Sequence, residues 1–274
     1  MKLGIQYLPP LWFAATRIFL GSLFLFALLA FQGRLRLPAV TDRNILITIA
    51  IFQIALPTAL IHSGLLFLGA GHSAILVFTM PLWVAPLAFF FLGERFGLAN
   101  LVGTILGLAG IALLVDPVAF DFSDRTQLIG NGFMLVSSFS FAIAIILMRS
   151  NPSAAPIIQL VPWQLFLGSI ILILTALIVE GPPKIPLSSS FITIMAYNGP
   201  IASGFCFWAY LSVSRSLPAM NTAIGSMGVP VIGVISSAFI LSESLALNVI
   251  AGLVLILLGV LTVTLNDLRR TKSL

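Results

Sequence analysis

Residues 73–115 read SAILVFTMPLWVAPLAFFFLGERFGLANLVGTILGLAGIALLV, and the chain contains this pattern twice. With an offset of 149 residues, the second copy begins at Thr222 and needs no gap. Each copy is an apolar run with a proline, then an acidic break, then a second apolar run with two glycines seven residues apart. The aligned pairs are Pro81 with Pro230, Glu94 with Glu243, Gly103 with Gly252, and Gly110 with Gly259. Repetition at such a long period predicts two related halves.

An offset of 147 residues extends the repeat toward the N-terminus. Phe19 to Ser22 then align with Phe166 to Ser169, and Pro9 aligns with Pro156. We place the first half at residues 1–120 and the second at residues 121–274, with the boundary in the acidic connection that follows Val115.

The composition is that of a protein embedded in a lipid bilayer. The chain is 59% hydrophobic and 8% charged, and its mean hydropathy is +1.16, whereas soluble domains carry about 25% charged residues. Apolar runs of about 20 residues are long enough to cross the hydrocarbon core as helices. The sequence therefore predicts an all-α polytopic membrane protein whose direct partner is the lipid bilayer.

Nine apolar runs predict nine transmembrane helices, near residues 11–31, 44–68, 73–92, 100–115, 128–148, 161–179, 190–213, 222–241 and 245–265. The second half holds five of them and the first half four. At the 147-residue offset, Met1 aligns with Met148, where a helix has just ended. We therefore expect that the first half lacks its first helix, because translation begins further upstream; a protein that works with nine helices is the alternative.

Basic residues are distributed unequally between the two sides of the predicted membrane. Nine lie in the connections on the side of the C-terminus and three on the opposite side, Arg17 being left out because it lies within a span. The first group is Arg34, Arg36, Arg43, Arg95, Arg149, Arg215, Arg269, Arg270 and Lys272, and the second is Lys2, Arg125 and Lys184. The positive-inside rule predicts a cytoplasmic C-terminus. Five helices per half is an odd number, so the two halves must be inverted, as in many secondary transporters.

Charge and cysteine content exclude several other classes. The net charge of +5 lies in the loops, so it reports orientation rather than nucleic-acid binding. The single Cys206 cannot form an internal disulfide, and one cysteine with two histidines does not favour a zinc site. We expect no cofactor, no metal and no removable signal peptide.

These motifs together resemble the EamA-type permeases of the drug/metabolite transporter superfamily. The resemblance rests on the Leu8-Pro9-Pro10 entry, on Ala15-Thr16-Arg17, on Leu92-Gly93-Glu94-Arg95 after the Pro81 run, and on the paired glycines. It implies ten helices in a 5+5 inverted repeat at the inner, cytoplasmic membrane. It also implies transport of small metabolites, often amino acids, through a central cavity. Two features depart from the family pattern, namely the missing first helix and the serines Ser242 and Ser244 around Glu243.

Arg17 is the strongest candidate for a substrate-binding residue. It lies about 10 Å below the outer start of its span, and an ionisable residue inside a span is a functional hypothesis by default. In the cavity it would hold a substrate carboxylate through paired hydrogen bonds; the alternative is that it snorkels to the outer headgroups. Its repeat partner is Gln164. Because we find no acidic residue at mid-depth, we predict a zwitterionic, anionic or neutral substrate.

Other polar and aromatic residues within the spans are candidates for the lining of the same cavity. Amides in hydrocarbon need partners, so helix–helix hydrogen bonding is the alternative for them, and ordinary packing is the alternative for the aromatic rings. His62 could couple proton movement to transport, or could be a satisfied structural histidine. The further candidates are Gln53, His62, Trp83, Gln164, Asn198, Trp208, Tyr210 and Asn221.

Four repeat-related residues are candidates for gating or structural roles. Pro81 and Pro230 lie near the middle of their predicted spans, where proline kinks a helix. Glu94 and Glu243 end those spans as caps or gate latches, because a carboxylate favours the N-terminus of a following helix. The spaced glycines predict close helix packing, either within one chain or at the seam of a homodimer.

Three function classes follow from these observations. A secondary transporter, an exporter of small metabolites such as amino acids by alternating access, accounts for the repeat and the paired prolines. An enzyme is not favoured, because the chain has no Gly-x-Ser-x-Gly or His-Glu-x-x-His motif. An ATP-driven pump is not favoured either, because the chain has no phosphate-binding-loop motif. A non-transporting membrane anchor or receptor subunit is the remaining alternative.

Overall fold

The computed structural model of the protein describes residues 6–68, 73, 76–94, 97–114, 125–151, 155–183, 188–229, 231–232 and 247–272. Two residues predicted to gate or to cap, Pro230 and Glu243, lie outside these ranges. So does most of the acidic connection between the two sequence halves.

The described chain is helical, and it contains no β-strand. The α-helices are α1 (Pro10–Phe31), α2 (Arg43–Thr48), α3 (Leu56–Gly64), α4 (Met80–Leu92), α5 (Leu98–Leu114), α6 (Arg125–Ser150), α7 (Ile157–Val179), α8 (Ser189–Asn198), α9 (Cys206–Ser216), α10 (Ala219–Ser226) and α11 (Leu247–Lys272). Two π-helical segments join pairs of these helices: π1 (Ile49–Ala55) links α2 to α3, and π2 (Pro200–Phe205) links α8 to α9.

Long apolar helices confirm the prediction of an all-α polytopic membrane protein. Among the described residues, five segments are long and apolar enough to cross a membrane: Pro10–Phe31, Val40–Gly64, Arg125–Ser150, Ile157–Val179 and Val249–Asn266. Two further apolar helices are shorter, Met80–Leu92 and Leu98–Leu113. Seven of the nine predicted spans match these helices to within a few residues at most ends. The seventh span, 190–213, corresponds to α8, π2 and α9, and half of the eighth, 222–241, lies outside the described residues.

The third predicted span departs from expectation because its helix is interrupted. Leu76 and Val77 are helical, Phe78 and Thr79 form a turn, and α4 begins at Met80. Pro81 therefore lies in the first turn of α4 rather than in the middle of a continuous helix. The reason is that proline lacks a backbone N–H and clashes with the carbonyl four residues earlier.

The second sequence half shows the same interruption. Helix α10 ends at Ser226, and Met227 forms a turn. Because Met227 is the repeat equivalent of Phe78, both halves break three residues before the aligned proline.

The chain divides into two compact units, each built from both sequence halves. Unit 1 comprises Met1–Ser63 and Leu147–Ser216, and unit 2 comprises Gly64–Ile146 and Leu217–Leu274.

In unit 1, helices α1 and α7 pack antiparallel. Ser22 Oγ of α1 donates to the carbonyl of Pro162 across 3.0 Å, and the ring of Phe26 meets Trp163 edge-on at 4.8 Å between centroids. Helix α1 also packs on π2, and α7 packs on π1. A Cβ on Gly21 would lie 2.8 Å from the Gly204 nitrogen, and one on Gly168 would lie 2.6 Å from a side-chain carbon of Ile54. The aligned glycines therefore admit the two π segments close to the paired helices.

In unit 2, α5 and α11 form the most extensive contact between described helices. A Cβ on Gly110 would lie 2.5 Å from the carbonyl oxygen of Gly252, so the two backbones are in contact. The sequence left open whether these glycines pack within one chain or at the seam of a homodimer. In the structure they form a seam within one chain. Apolar side chains of α4, α6 and α10 form the core beside this seam.

Candidate functional site

Arg17 of α1 lies inside unit 1 and is 6% exposed. Its Nε donates a hydrogen bond of 2.9 Å to Oγ of Ser203 in π2. Ser203 Oγ in turn donates to the backbone carbonyl of Asn198 across 2.8 Å. Within the described residues, this is the one hydrogen bond of the guanidinium, and no carboxylate forms an ion pair with it. Arg17 is therefore a buried cation that Ser203 orients and that no carboxylate among the described residues neutralises.

His62 of α3 lies near this arginine. The His62 ring is 1% exposed, and its Nδ1 lies 2.8 Å from the carbonyl of Thr58. Because a carbonyl only accepts, Nδ1 carries the proton in this hydrogen bond. Its Nε2 is buried and has no partner among the described residues. The ring of Phe13, one turn before Arg17 on α1, lies 6.1 Å from the His62 ring between centroids.

Gln53, Tyr210 and Ser214 form a second polar group in unit 1. Gln53 of π1 is buried, and its side chain lies beside the hydroxyl of Tyr210 on α9. Ser214, one turn after Tyr210, lies beside the same hydroxyl. The Ser214 Oγ is buried and has no hydrogen-bond partner among the described residues.

Gln164 of α7 is the repeat equivalent of Arg17, and it is 1% exposed. Neither its Oε1 nor its Nε2 has a hydrogen-bond partner among the described residues. A buried orphan amide is costly and points to a bound water or to a polar group of a ligand. Each half therefore places a polar side chain four residues before the glycine that packs on a π segment. Among the described residues, Arg17 has a hydrogen-bond partner and Gln164 has none.

Asn198 and Trp208 take less central positions in unit 1. The Asn198 side-chain amide donates a hydrogen bond to the carbonyl of Ile194, one turn earlier on its own helix. Trp208 is half-buried and lines a groove at the end of α1, together with Phe205.

Two candidates belong to unit 2. Trp83 of α4 stacks edge-on against Phe139, with centroids 5.4 Å apart, and its buried Nε1 has no partner among the described residues. The second candidate, Asn221 of α10, is partly buried and has an interaction partner.

A further polar contact lies beside the helix break that precedes α4, where Thr79 Oγ1 is 3.2 Å from Oγ of Ser138.

Glu94 lies in the connection between α4 and α5. Helix α4 ends at Leu92, and the next residue, Gly93, has a left-handed φ of 66°, so the chain turns away from the helix axis before Glu94. Glu94 Oε1 accepts a hydrogen bond of 3.2 Å from the backbone nitrogen of Ala219, at the start of α10. The hydrogen bond therefore reaches α10, which is not the helix that follows Glu94 in the sequence.

Sequence reasoning missed a carboxylate on the opposite side of the predicted membrane. Glu180, at the end of α7, accepts hydrogen bonds from the backbone nitrogens of Leu11 at 3.0 Å and of Trp12 at 3.1 Å. The Trp12 indole donates to the carbonyl of Gly181 across 2.8 Å. These contacts fasten the N-terminus of the helix that carries Arg17. Pro9-Pro10 was the available signal, since it marks a helix start that needs a cap.

Ser203 was also missed. A serine in an apolar run has no distinguishing pattern of its own, and its role depends on the pairing of α1 with π2.

The comparisons with known proteins agree with this architecture. The model of the EamA-like transporter family matches residues 1–116 and 128–265. The "Uncharacterized transporter YoaV" of Bacillus subtilis is 27% identical over 271 residues, which cover 98% of this chain and 92% of the relative. A "Probable amino-acid metabolite efflux pump" of Salmonella typhimurium is 27% identical, over 94% of this chain and 87% of the relative. A solved crystal structure shares the fold with a TM-score of 0.78 at 18% identity, over 94% of this chain and 89% of that one.

The family match spans most of the chain, and it confirms the resemblance that the repeat motifs predicted. It also indicates a transporter rather than an enzyme. With its long apolar helices, the chain is therefore a multi-pass membrane transporter that belongs to the EamA-like transporter family.

Proposed function

We propose that the protein is a secondary transporter that exports small zwitterionic or anionic metabolites, such as amino acids, across the cytoplasmic membrane by alternating access. The carboxylate of the substrate binds Arg17. The observation that carries this proposal is a buried guanidinium whose single hydrogen bond within the described part of the chain goes to a neutral serine, Ser203.

The geometry suits carboxylate recognition. Ser203 engages Nε, so the remaining guanidinium N–H groups are available to a ligand. Arginine presents planar, paired donors that match the two oxygens of a carboxylate. A buried cation without a counter-ion is unfavourable, and a substrate carboxylate would supply the missing charge.

Two observations support the direction and the mode of transport. The relatives from Salmonella typhimurium and Escherichia coli are named probable amino-acid metabolite efflux pumps, which favours export of amino-acid-like compounds. The helix breaks at Phe78 and Met227 occur at equivalent positions of the two halves. Matched discontinuities of this kind let one repeat move against the other in alternating access.

Replacing Arg17 tests the binding role. Counterflow of radiolabelled amino acids in proteoliposomes first identifies a transported acid, and the same assay then compares that acid with its amide. The variant Arg17→Gln removes the charge, keeps a donor and copies the repeat partner Gln164. A lost charged hydrogen bond is worth about 1.5–3 kcal/mol, so we expect roughly ten- to hundred-fold weaker apparent affinity for the acid.

The amide should be transported equally well by the Arg17→Gln variant and by the unmodified protein. Arg43→Gln is the matched control, because Arg43 is an exposed arginine at the first residue of α2. Equal losses for acid and amide at unchanged protein level would assign Arg17 to packing. Failure to transport any amino acid would reject the substrate class.

A further inference from the structure

An apolar groove of about 750 Å³ opens on unit 1 at the end opposite Glu180. It lies where α1 ends and α7 begins, with π2 and α9 forming the rest of its wall. The groove is separate from Arg17, which lies further back along α1.

The wall of the groove is built of large apolar side chains that remain exposed. Phe24 and Leu28 of α1 are exposed on one side, and Ile201 and Phe205 face it from π2. Such a surface suits a hydrocarbon chain.

The mouth of the groove carries a cation. Arg34 follows the end of α1 and is exposed, and within the described part of the chain its side chain has no ion pair or hydrogen bond. Among the residues that the structure describes, no acidic side chain lines the groove beside it. The site is therefore apolar along its length and positive at one end.

The segment that carries Arg34 has the character of a membrane interface. Phe31, Leu37 and Val40 are strongly exposed, and Arg34 and Arg36 lie between them. The indole of Trp163 donates to the carbonyl of Arg36 across 3.1 Å and so holds the segment on α7. Alternating basic and apolar residues, with a tryptophan beside them, are typical of headgroup depth.

We propose that this groove binds an anionic phospholipid, with an acyl chain along the apolar wall and the headgroup phosphate on Arg34. Charge complementarity selects the occupant, because an anionic headgroup supplies the negative charge that the mouth lacks. The positive-inside count places this end at the cytoplasmic leaflet, where anionic lipids attract basic segments.

Trp208 provides a direct test, because it lines the groove and brominated acyl chains quench tryptophan fluorescence on contact. The full-length protein in detergent micelles is titrated with phosphatidylglycerol or phosphatidylcholine that carry the same dibrominated chains. We expect saturable quenching at lower mole fractions of phosphatidylglycerol, and loss of that component in Trp208→Phe. Arg34→Gln should weaken phosphatidylglycerol binding about fivefold, the effect of one basic residue at a membrane surface, and Arg43→Gln should not.

Four results would overturn the proposal. Equal quenching by both lipids would mean that the groove selects chains and not charge. If glycerol phosphate at matched concentration displaced phosphatidylglycerol, Arg34 would bind free phosphate rather than a lipid headgroup. An equal effect of Arg34→Gln and Arg43→Gln would indicate general surface attraction. If quenching of Trp208 by the brominated chains falls as the protein concentration rises, and light scattering detects dimers, a second copy of the chain would be the occupant.

Discussion

Gly103 and Gly259 pack against each other reciprocally across the α5–α11 pair. A Cβ on Gly103 would lie 2.9 Å from the carbonyl oxygen of Gly259, and a Cβ on Gly259 would lie 2.7 Å from that of Gly103. The repeat aligns Gly103 with Gly252 and Gly110 with Gly259, and the second close pair is Gly110 with Gly252. The contacts are thus exchanged between the halves, as in a two-fold symmetric interface.

Substitution in this seam should destabilise unit 2. In Gly110→Ala the new methyl group would lie 2.5 Å from the Gly252 carbonyl oxygen, a backbone atom that cannot turn away. We expect a loss of about 1–3 kcal/mol, as for an overpacked core, measured as a lower midpoint of thermal unfolding in detergent. Gly132→Ala is the control, because a Cβ at Gly132 meets open space. Equal midpoints for the two variants would contradict a tight seam.

Glu180 should stabilise the N-terminus of α1. Glu180→Gln keeps one carbonyl oxygen and loses the charge that favours the positive helix end. Glu180→Asp shortens the side chain, so it no longer reaches both nitrogens. We expect each variant to lower the stability of the protein by about 1 kcal/mol, the usual effect of losing a cap, with faster amide hydrogen exchange at Leu11 and Trp12. Unchanged exchange at these two amides would show that the cap is dispensable.

His62 should not set the pH dependence of transport. Its Nδ1 proton is held by the Thr58 carbonyl, which fits a structural role. His62→Asn places an amide N–H near the position of Nδ1 and cannot titrate. We expect the variant to keep the pH profile of the unmodified protein in a proteoliposome flux assay. A flattened profile at unchanged protein level would instead make His62 the coupling residue.

Ser203 should act through Arg17. Ser203→Ala removes the acceptor that orients Nε and leaves the charge in place. We expect the KM for a transported acid to rise several-fold, as for a lost hydrogen bond worth about 1 kcal/mol, with kcat and amide transport unchanged. Ser169→Ala is the matched control, because Ser169 is buried and bonds to Phe166 of its own helix. An equal KM for the two variants would argue against this positioning role.

The orientation of the chain is open to a direct test. The nine-to-three distribution of basic residues predicts that the C-terminus is cytoplasmic. A reporter that is active only in the cytoplasm should be active when fused after Leu274 and inactive when inserted near Asp121. The opposite pattern would reverse the orientation and would move the lipid groove to the outer leaflet.

Much of the helical layout could be predicted from the sequence, because apolar runs of the right length have few alternatives in a membrane. The repeat also carried information about packing, since glycines spaced by seven residues lie on one face of a helix. Pro81 shows the limit of such a pattern. Proline indicated a disruption, but only the backbone shows that the helix breaks before it, at Phe78 and Thr79.

The polar contacts of the candidate site were harder to predict, for a physical reason. A charge in an apolar run is conspicuous, so Arg17 could be singled out. Its partner Ser203 could not, because a serine satisfies itself on its own helix about as readily as on a neighbour. In the sequence Glu180 belongs to a proline-rich turn. Its role as a cap depends on the antiparallel pairing that brings the end of α7 to the start of α1.

The two π segments have a consequence for how sequence length varies along this chain. A π turn contains one more residue than an α turn, so removing a residue there restores an α-helix and leaves both flanking helices in phase. Gln53 and Ser203 lie within these segments. Insertions and deletions of single residues are therefore best tolerated in the same turns that carry polar side chains into the apolar interior. An alignment of related proteins should place its single-residue gaps in π1 and π2, not at the helix ends.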